Sequence, residues 1–303
     1  MILFIEQLFN GLQLGVTLFL LASGLTLVFG IMGLINLSHG SLYMVGAYVA
    51  ATVAGQSGSF FLGLISALVV AAVLGVIIEK LVMRHLYDRD HLYQVLATFG
   101  LILFFNEAVR LIWGSQPLFM DVPDALDFPV RIFGEAAYPA YRIAIIAIGA
   151  MVLGVLYLLI FYTRIGMLTR AGSSNREMTK ALGVNIDRLY TGIFAFGAVL
   201  SALAGALSGP IYAVEIGMGE HILILAFVVI VIGGIGSIKG SFVAALLIGI
   251  VDTLGRAYLP TFFKTFMSAS EGAVVGSSIA SIAIYLLMAS ILVIRPRGLF
   301  TKL

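Results

Sequence analysis

One long uncharged stretch limits what this chain can fold into, because residues 7–78 contain no Asp, Glu, Lys or Arg. About a quarter of the residues in a typical soluble domain are charged, so a soluble fold would interrupt such a stretch several times. Over all 303 residues, 61% are hydrophobic and 11% are charged. The apolar runs are continuous rather than alternating, and several reach the roughly 20 residues that a helix needs to cross a bilayer. The sequence therefore predicts an all-α, polytopic integral membrane protein.

Nine apolar segments are predicted helices, which sets the expected number of membrane crossings at eight or nine. Two of them, 41–55 and 241–258, are short and lie beside polar, glycine-rich breaks, so either could fail to cross completely. We therefore expect some helices to be interrupted. No linker or low-complexity tract divides the chain, and residues 1–303 are predicted to form a single transmembrane domain. The predicted segments are 8–34, 41–55, 60–82, 92–113, 141–163, 189–212, 222–238, 241–258 and 276–294.

The distribution of Lys and Arg predicts the orientation in the membrane, because these residues are retained on the cytoplasmic side. They gather after the third segment, after the fifth and near the C-terminus, whereas the loops 114–140 and 213–221 are mainly acidic. Nine crossings would place the C-terminus and the basic loops in the cytoplasm. The N-terminus lacks Lys and Arg before its apolar run and is not typical of a cleavable signal peptide, so we expect the first segment to be retained.

A polar break interrupts the uncharged stretch in the sequence INLSHG. Polar groups at membrane depth are costly, and irregular backbone is tolerated there only inside protein or along a water-filled cavity. We hypothesise that 36–40 interrupt a membrane helix and face a translocation path, with an ordinary cytoplasmic turn as the alternative. A similar break, IGSIKGS, precedes 241–258, and paired interruptions of this kind are typical of transport sites. The candidate path residues are Asn36, Ser38, His39, Gly40 and Ser41.

The basic loop 164–188 is predicted to contain a short amphipathic helix over 174–183. Ser174 stands three residues before Glu177, which is the spacing of a capping box, and Gly183 is a natural helix stop. So short a helix is marginal in water, and we expect its apolar face to dock against a partner rather than against the membrane surface, which is the alternative. The candidate contact residues are Glu177, Met178, Ala181, Leu182 and Gly183.

No pattern in the sequence predicts a catalytic or cofactor site. The stretch GGIGSIKGS lacks a nucleotide-binding spacing because Lys239 is followed by Gly240, so we interpret it as a tight connection between packed helices. The four histidines have no metal-ligand partner at helical spacing, and the chain contains no cysteine. We expect no catalytic residue, no metal, no resident cofactor and no nucleic-acid partner, with ATP bound only by other subunits.

Three ordered stretches resemble one known family, the permeases of branched-chain amino-acid ABC transporters, whose relatives include urea and short-chain amide permeases. GMLTRAGSSNREMTKALGVNIDRLYTGIFAFGAVLSALAGALSGP is similar to the family's cytoplasmic loop and following helix. INLSHGSLYMVGAY resembles its Asn-Phe-Ala-His-Gly-Glu stretch, and GMGEHILILAFVVIVIGGIGSIKGSFVAALLIGIVD resembles its Gly-rich segment. Ser41 departs from the family, since many members carry an acidic residue there.

The resemblance implies a permease subunit of an importer in the bacterial inner membrane, with branched-chain amino acids as the favoured substrate and urea or amides next. Its implied partners are a second homologous permease, two ATP-binding subunits, a periplasmic substrate-binding protein and membrane lipids. It also implies that 164–188 carries the coupling contact. An ion-coupled secondary transporter is the first alternative, and it would need intramembrane carboxylates, for which Asp252 is the main deep candidate and stands alone. A non-transporting membrane scaffold is the other alternative.

Overall fold

A computed structural model describes residues 2–133 and 136–300, and this part of the chain is almost entirely helical. Nine long helices correspond one to one to the nine predicted segments, and two shorter helices lie in the loop 164–188. One small antiparallel hairpin is present as well. The elements are α1 Ile2–Met32, α2 His39–Ser57, α3 Phe60–Leu81, α4 His91–Trp113, β1 Pro129–Phe133, β2 Ala136–Pro139, α5 Ala140–Tyr162, α6 Arg164–Ser174, α7 Arg176–Ala181, α8 Ile186–Ser208, α9 Met218–Gly233, α10 Ile238–Phe263 and α11 Ala269–Ile294.

Seven of these helices are long and apolar enough to cross a membrane, which confirms the polytopic all-α class. The prediction that 241–258 is a short segment is wrong, because α10 is 26 residues long and is one of the seven. The shortest of the apolar helices is α9, with 16 residues. A further helix, α2, has 19 residues but is not among the seven. The seven are α1, α3, α4, α5, α8, α10 and α11.

Polar caps explain where several helices begin. Ser59, Asn185 and Ser237 each accept a hydrogen bond from a main-chain N–H in the first turn of α3, α8 and α10. At α11, Ser268 and Glu271 form a complete capping box. The four first N–H groups of a helix lack partners within the helix, and these side-chain oxygens satisfy one of them.

Two compact units divide the chain, and the first comprises residues 1–19, 124–150 and 227–303. Within this unit, small residues let backbones approach closely. A Cβ atom added to Gly11 would lie 2.8 Å from the Cα of Ile250, and one added to Gly15 would lie 2.8 Å from the carbonyl oxygen of Ala245. The helices α10 and α11 pack together beside this contact between α1 and α10.

The second unit comprises residues 20–123 and 151–226, and its centre is formed by α2, α3 and α8. Here too the helices meet at small residues. A Cβ atom on Gly205 would lie 2.0 Å from the carbonyl oxygen of Tyr43, and one on Gly46 would lie 2.5 Å from the Cα of Ala202. Such close approach supplies the dispersion contacts that hold membrane helices together where lipid removes the hydrophobic driving force.

Candidate translocation and coupling sites

The polar break lies between α1 and α2 and covers residues 33–38. Gly33 ends α1 in the left-handed conformation, with φ at +66°. The Oδ1 atom of Asn36 then accepts hydrogen bonds from the N–H of Ser38 at 3.0 Å and from its hydroxyl at 2.7 Å. This local turn leads the chain directly into α2. The predicted break, 36–40, therefore lies too far towards the C-terminus compared with the observed break, 33–38. His39, Gly40 and Ser41 belong to the first turn of α2.

All five candidate path residues are buried within protein. Asn36 and Ser38 have no exposed surface, His39 is 1% exposed and Ser41 is 3% exposed, and Gly40 is buried as well. An ordinary turn at the membrane surface would expose polar side chains such as these. In this conformation the five residues are enclosed instead, and a role in translocation stays a prediction.

The first turn of α2 lies well inside the membrane-spanning helices around it. A Cβ atom on Gly24 would lie 2.8 Å from Nε2 of His39, and Gly24 stands eight residues before the end of α1, which is about 12 Å along the helix. The hydroxyl of Ser201, within α8, donates to the carbonyl oxygen of His39 at 2.8 Å. The helix α2 therefore begins at membrane depth, as irregular backbone can do only when protein surrounds it.

The N-terminus of α9 meets the N-terminus of α2. A Cβ atom added to Gly40 would lie 2.3 Å from the carbonyl oxygen of Gly219, and one on Gly219 would lie 2.3 Å from that of Gly40. No other residue fits at either position without moving a backbone. Gly217, with φ at +91°, turns the chain into α9 just before this contact. Two helix N-termini, each carrying a partial positive charge, are thus placed side by side.

Glu220 is a carboxylate beside this contact and belongs to the stretch 213–221, which the sequence predicts to be an acidic loop. It lies in the first turn of α9, and the Nδ2 of Asn106 donates to its Oε1 at 2.5 Å. Asn106 lies seven residues, or about 10 Å, inside the C-terminal end of α4, so Glu220 lies at membrane depth. The second oxygen of Glu220, Oε2, is enclosed and accepts no hydrogen bond from the described residues. The signal that was missed is Gly217, whose position marks the start of a helix.

Asp252 is also buried, but a neighbouring cation pairs with it. The Nε of Arg256, one turn along α10, lies 2.8 Å from its Oδ1. The interpretation of Asp252 as an isolated deep carboxylate is therefore wrong, because Arg256 neutralises it and Glu220 is a second carboxylate at depth.

Several buried polar atoms at the break have no hydrogen-bond partner among the described residues. They are Nδ2 of Asn36 and both ring nitrogens of His39, although the ring lies beside the main chain of Leu21. An unsatisfied buried polar atom costs about 1–3 kcal/mol, so such atoms need an explanation. Their concentration beside two helix N-termini marks this region as a functional candidate rather than a packing core.

The glycine-rich connection before α10 is a tight link between helices, as the sequence predicts. Gly234 and Gly236 have φ angles of +98° and +83°, and Ser237 caps α10 through the N–H of Gly240 at 3.1 Å. A Cβ atom on Gly240 would lie 2.0 Å from the carbonyl oxygen of Gly233. Across residues 2–133 and 136–300, no three His, Asp or Glu side chains gather as metal ligands would.

The loop 164–188 contains two helices instead of one. The predicted capping box of Ser174 and Glu177 is wrong, because α6 continues through Ser174 and leaves its backbone helical. Asn175 has the extended backbone that a cap requires, and its Oδ1 accepts from the N–H of Met178 at 2.9 Å. The predicted stop is confirmed, since Gly183 follows α7 with φ at +86°.

The five candidate contact residues on and after α7 are all exposed. Met178 is 60% exposed and Leu182 is 77% exposed, while Glu177, Ala181 and Gly183 are exposed as well. Thr179, between them, is buried and faces the protein. The helix α7 therefore presents an unpartnered apolar face in a loop that also carries five basic residues.

Arg176 fixes α7 to neighbouring elements of the second unit. The guanidinium of Arg176 lies over the rings of Tyr87 and Tyr190, at 5.3 and 5.5 Å from their centroids. These two rings pack edge to face at 5.4 Å. Nη1 of Arg176 also pairs with Oδ1 of Asp88 at 3.0 Å. The first residue of α7 is thus held by both a charge pair and two aromatic faces.

The buried carboxylate of Glu79 holds one ring of this aromatic pair in place through a hydrogen bond from Tyr87. Glu79 has no exposed surface and receives hydrogen bonds from Arg84 at 3.2 and 3.1 Å and from the hydroxyl of Tyr87 at 2.9 Å. Thr191 of α8 donates to the same carboxylate at 2.6 Å. Burial, and then the charge of Glu79, raise the pKa of Tyr87 above its ordinary value of 10, so the phenol stays protonated as a donor. The network ties α3, the loop after it and α8 into one support for Arg176.

Several proteins that are similar to this chain are named as permeases. The family model for the permease component of branched-chain amino acid transport systems matches residues 7–292. The high-affinity branched-chain amino acid transport system permease protein LivH of Escherichia coli K12 is 34% identical over 279 residues, which cover 88% of this chain and 90% of that protein. The corresponding permease protein BraD of Pseudomonas aeruginosa is 33% identical over 267 residues, which cover 83% and 86%. The ribose import permease protein RbsC of Escherichia coli K12 is 25% identical over 255 residues, which cover 82% and 77%. No solved structure matches this chain.

Proposed function

The chain belongs to the family of branched-chain amino acid transport system permease components, and from this membership we propose that it is one permease subunit of an ATP-driven importer. The names of LivH and BraD support branched-chain amino acids as its substrate. RbsC is named for ribose import, so related permeases serve chemically different solutes. Urea and short-chain amides therefore stay in the set of substrates to be tested.

The proposed assembly contains this chain, a second homologous permease, two ATP-binding subunits and a periplasmic substrate-binding protein. The proposed location of this assembly is the bacterial inner membrane, with the C-terminus and the basic loops of this chain in the cytoplasm. The concentration of Lys and Arg in these loops supports the orientation. The absence of a nucleotide-binding spacing in the sequence supports the assignment of ATP hydrolysis to partner subunits.

The proposed translocation path runs past the paired N-termini of α2 and α9. Helix N-termini at membrane depth favour the carboxylate of an amino acid, and the side chain of Glu220 is suited to its ammonium group. Gly40 and Gly219 close the path in this conformation, so transport requires the two N-termini to separate. The proposed path residues are Asn36, Ser38, His39, Gly40, Ser41 and Glu220.

The observation that carries the proposal for coupling is the exposed apolar face of α7 on a rigid base. An importer whose ATPase is a separate subunit needs a contact that transmits force, and a mobile helix would absorb the movement. Arg176 and the Glu79 network hold α7 in place, while Met178 and Leu182 are free to enter a groove on a partner. The proposed contact comprises Glu177, Met178, Ala181, Leu182 and Gly183.

Uptake in proteoliposomes tests the proposal. The chain is reconstituted with its partner permease, its ATP-binding subunits and its binding protein, and uptake of labelled leucine, urea, acetamide and ribose is measured. We expect leucine uptake to require ATP and the binding protein and to be unaffected by a protonophore. Uptake driven by an ion gradient without ATP would contradict the proposal and favour a secondary transporter.

A further inference from the structure

A cavity of about 630 Å³ lies within the second unit, between the end of α1, the last turn of α5, the helix α6 and the start of α8. Its lining is mainly aliphatic, and its polar members are Thr169, Asn185 and Arg188. Along α8 the lining runs from Arg188, at the start of the helix, to Phe196. These two residues are eight positions apart on one helix, so the cavity extends about 12 Å along it. This shape is a slot rather than a compact pocket.

The mouth of the slot lies where membrane helices end. The helix α5 ends at Tyr162, which is 73% exposed, and α8 begins at Ile186. An exposed aromatic ring at the end of an apolar helix is typical of the interface between hydrocarbon and headgroups. The slot therefore reaches from the headgroup level into the hydrocarbon.

Two polar groups at the slot lack partners. Arg188 is exposed, and in the described part of the chain its guanidinium makes no ion pair and no hydrogen bond. Thr169 is 4% exposed, and its hydroxyl is enclosed without a hydrogen-bond partner among the described residues. Both line the slot. A buried hydroxyl without a partner is costly, and an acceptor entering the slot would satisfy it.

The chemistry of the lining selects the occupant. No Asp or Glu lines the slot, so the ammonium group of an amino acid would have no counter-charge there. A long apolar wall with a cation at its mouth instead complements an acyl chain attached to an anionic headgroup. Basic pockets between membrane helices on the cytoplasmic side bind such headgroups, and the loop 164–188 carries five basic and two acidic side chains.

We propose that this slot is a binding site for an anionic phospholipid, with one acyl chain between α5 and α8. Arg188 binds the phosphate, and the hydroxyl of Thr169 donates to an ester or phosphate oxygen. The bound lipid then fills the space beneath the base of the loop 164–188. This inference goes beyond the proposed transport function and uses only the proposed orientation of the loop.

Photolabelling of the purified full chain in phosphatidylcholine nanodiscs tests the site. The probes are phosphatidylglycerol and phosphatidylcholine carrying the same diazirine-labelled acyl chain, and labelled peptides are mapped by mass spectrometry. We expect phosphatidylglycerol to label peptides containing residues 159–160 or 192–196, about five-fold more than phosphatidylcholine. Arg188→Gln should lower this labelling about five-fold, the change that one cation contributes to binding anionic lipid.

Matched variants separate a built site from general attraction. Gly192 lines the slot, and a Cβ atom there would meet nothing within 4 Å, so Gly192→Leu should fill the slot without a clash and lower labelling at least five-fold. Gly154 on α5 is equally open but lies outside the lining, and Arg164 is an exposed arginine outside it, so Gly154→Leu and Arg164→Gln should change labelling less than two-fold.

Four outcomes would overturn the proposal. They are equal labelling by the two lipids, an equal loss in Arg164→Gln, unchanged labelling in Gly192→Leu, and loss of labelling when the assembled transporter replaces the single chain, since a partner helix would then fill the slot. The measurement uses neither ATP nor uptake. Failed uptake with intact labelling would count against the transport proposal alone, and normal uptake with equal labelling would count against the lipid site alone.

Discussion

The break at the start of α2 and the short helix α7 are both irregular segments, yet they are built in opposite ways. At the break, Gly40 and Gly219 are in backbone contact, and the side chains of Asn36, Ser38, His39 and Ser41 are buried. At α7, Met178 and Leu182 face outwards, and Arg176 fixes the helix through side chains alone. A change at the break should therefore lower the stability of the folded chain. A change at α7 should instead weaken assembly with the ATP-binding subunit.

The largest effect is expected for Gly40→Ala, because the added Cβ would lie 2.3 Å from the carbonyl oxygen of Gly219. Overpacking against backbone costs about 1–3 kcal/mol and occasionally more, so the purified protein should lose much of its thermal stability. The control is Gly55→Ala on the same helix, where an added Cβ meets nothing within 4 Å, and it should be neutral or slightly stabilising. Thermal unfolding in detergent measures both. Equal stability of the two variants would show that the glycine contact is not rigid.

A smaller effect, confined to assembly, is expected for Leu182→Asp. Burying a leucine in a partner's groove contributes about 1.5–3 kcal/mol, so the ATP-binding subunit should bind roughly 10- to 150-fold more weakly. Thermal stability of the isolated chain should not change, because the side chain is 77% exposed. The control is Met167→Asp, on the exposed side of α6 at 55% exposure. If both variants bind the ATP-binding subunit normally, α7 is not the contact and the loop 80–91 becomes the next candidate.

Arg176→Gln should weaken coupling without removing the apolar face. A cation over an aromatic ring contributes about 0.5–2 kcal/mol, and here the ion pair with Asp88 adds to it. The ATP-binding subunit should bind less than about 30-fold more weakly, and leucine transported per ATP hydrolysed should fall because α7 moves independently of its base. Arg176→Lys keeps the charge but loses the planar stacking. It should therefore recover only part of the leucine transported per ATP hydrolysed. A normal ratio in Arg176→Gln would mean that α7 needs no such anchor.

Asp88→Asn is expected to have the smallest effect. The side chain of Asp88 is 90% exposed, and exposed ion pairs contribute about 0.2–1 kcal/mol. Binding of the ATP-binding subunit should weaken by at most about five-fold, and the difference from wild type should shrink in high salt. A loss as large as that of Arg176→Gln would assign the anchor to the charge pair instead of the aromatic rings.

The sequence predicted the helices better than the site. Long apolar runs predict most ends of α1, α3, α4, α5, α8 and α11 to within a few residues of the observed ends. They do so because a bilayer imposes length and apolarity on each helix that crosses it. The resemblance to branched-chain amino-acid permeases is confirmed by the family match over residues 7–292. These features depend on local composition and on long ordered motifs, which a single sequence displays.

What the sequence could not predict depends on contacts between distant residues. Nothing near Glu220 indicates that Asn106 lies beside it, and nothing near Gly40 indicates that Gly219 lies in contact with it. The capping error has a local cause, because Ser174 and Asn175 both suit an N-cap and the preceding helix α6 decides between them. The anchor at Arg176 was missed for the same reason as Glu220, since Tyr87 and Tyr190 come from separate elements.

The most direct test of the account is a disulfide cross-link between α7 and the ATP-binding subunit. The chain has no cysteine, so a single introduced thiol gives an unambiguous product. Leu182→Cys in the assembled transporter should cross-link under mild oxidation to a cysteine placed in the groove of the ATP-binding subunit, and Met167→Cys should not. Cross-linking should also stop ATP-driven leucine uptake until the disulfide is reduced. Equal cross-linking from both positions, or a cross-linked transporter with normal uptake, would contradict the claim that α7 couples ATP hydrolysis to transport.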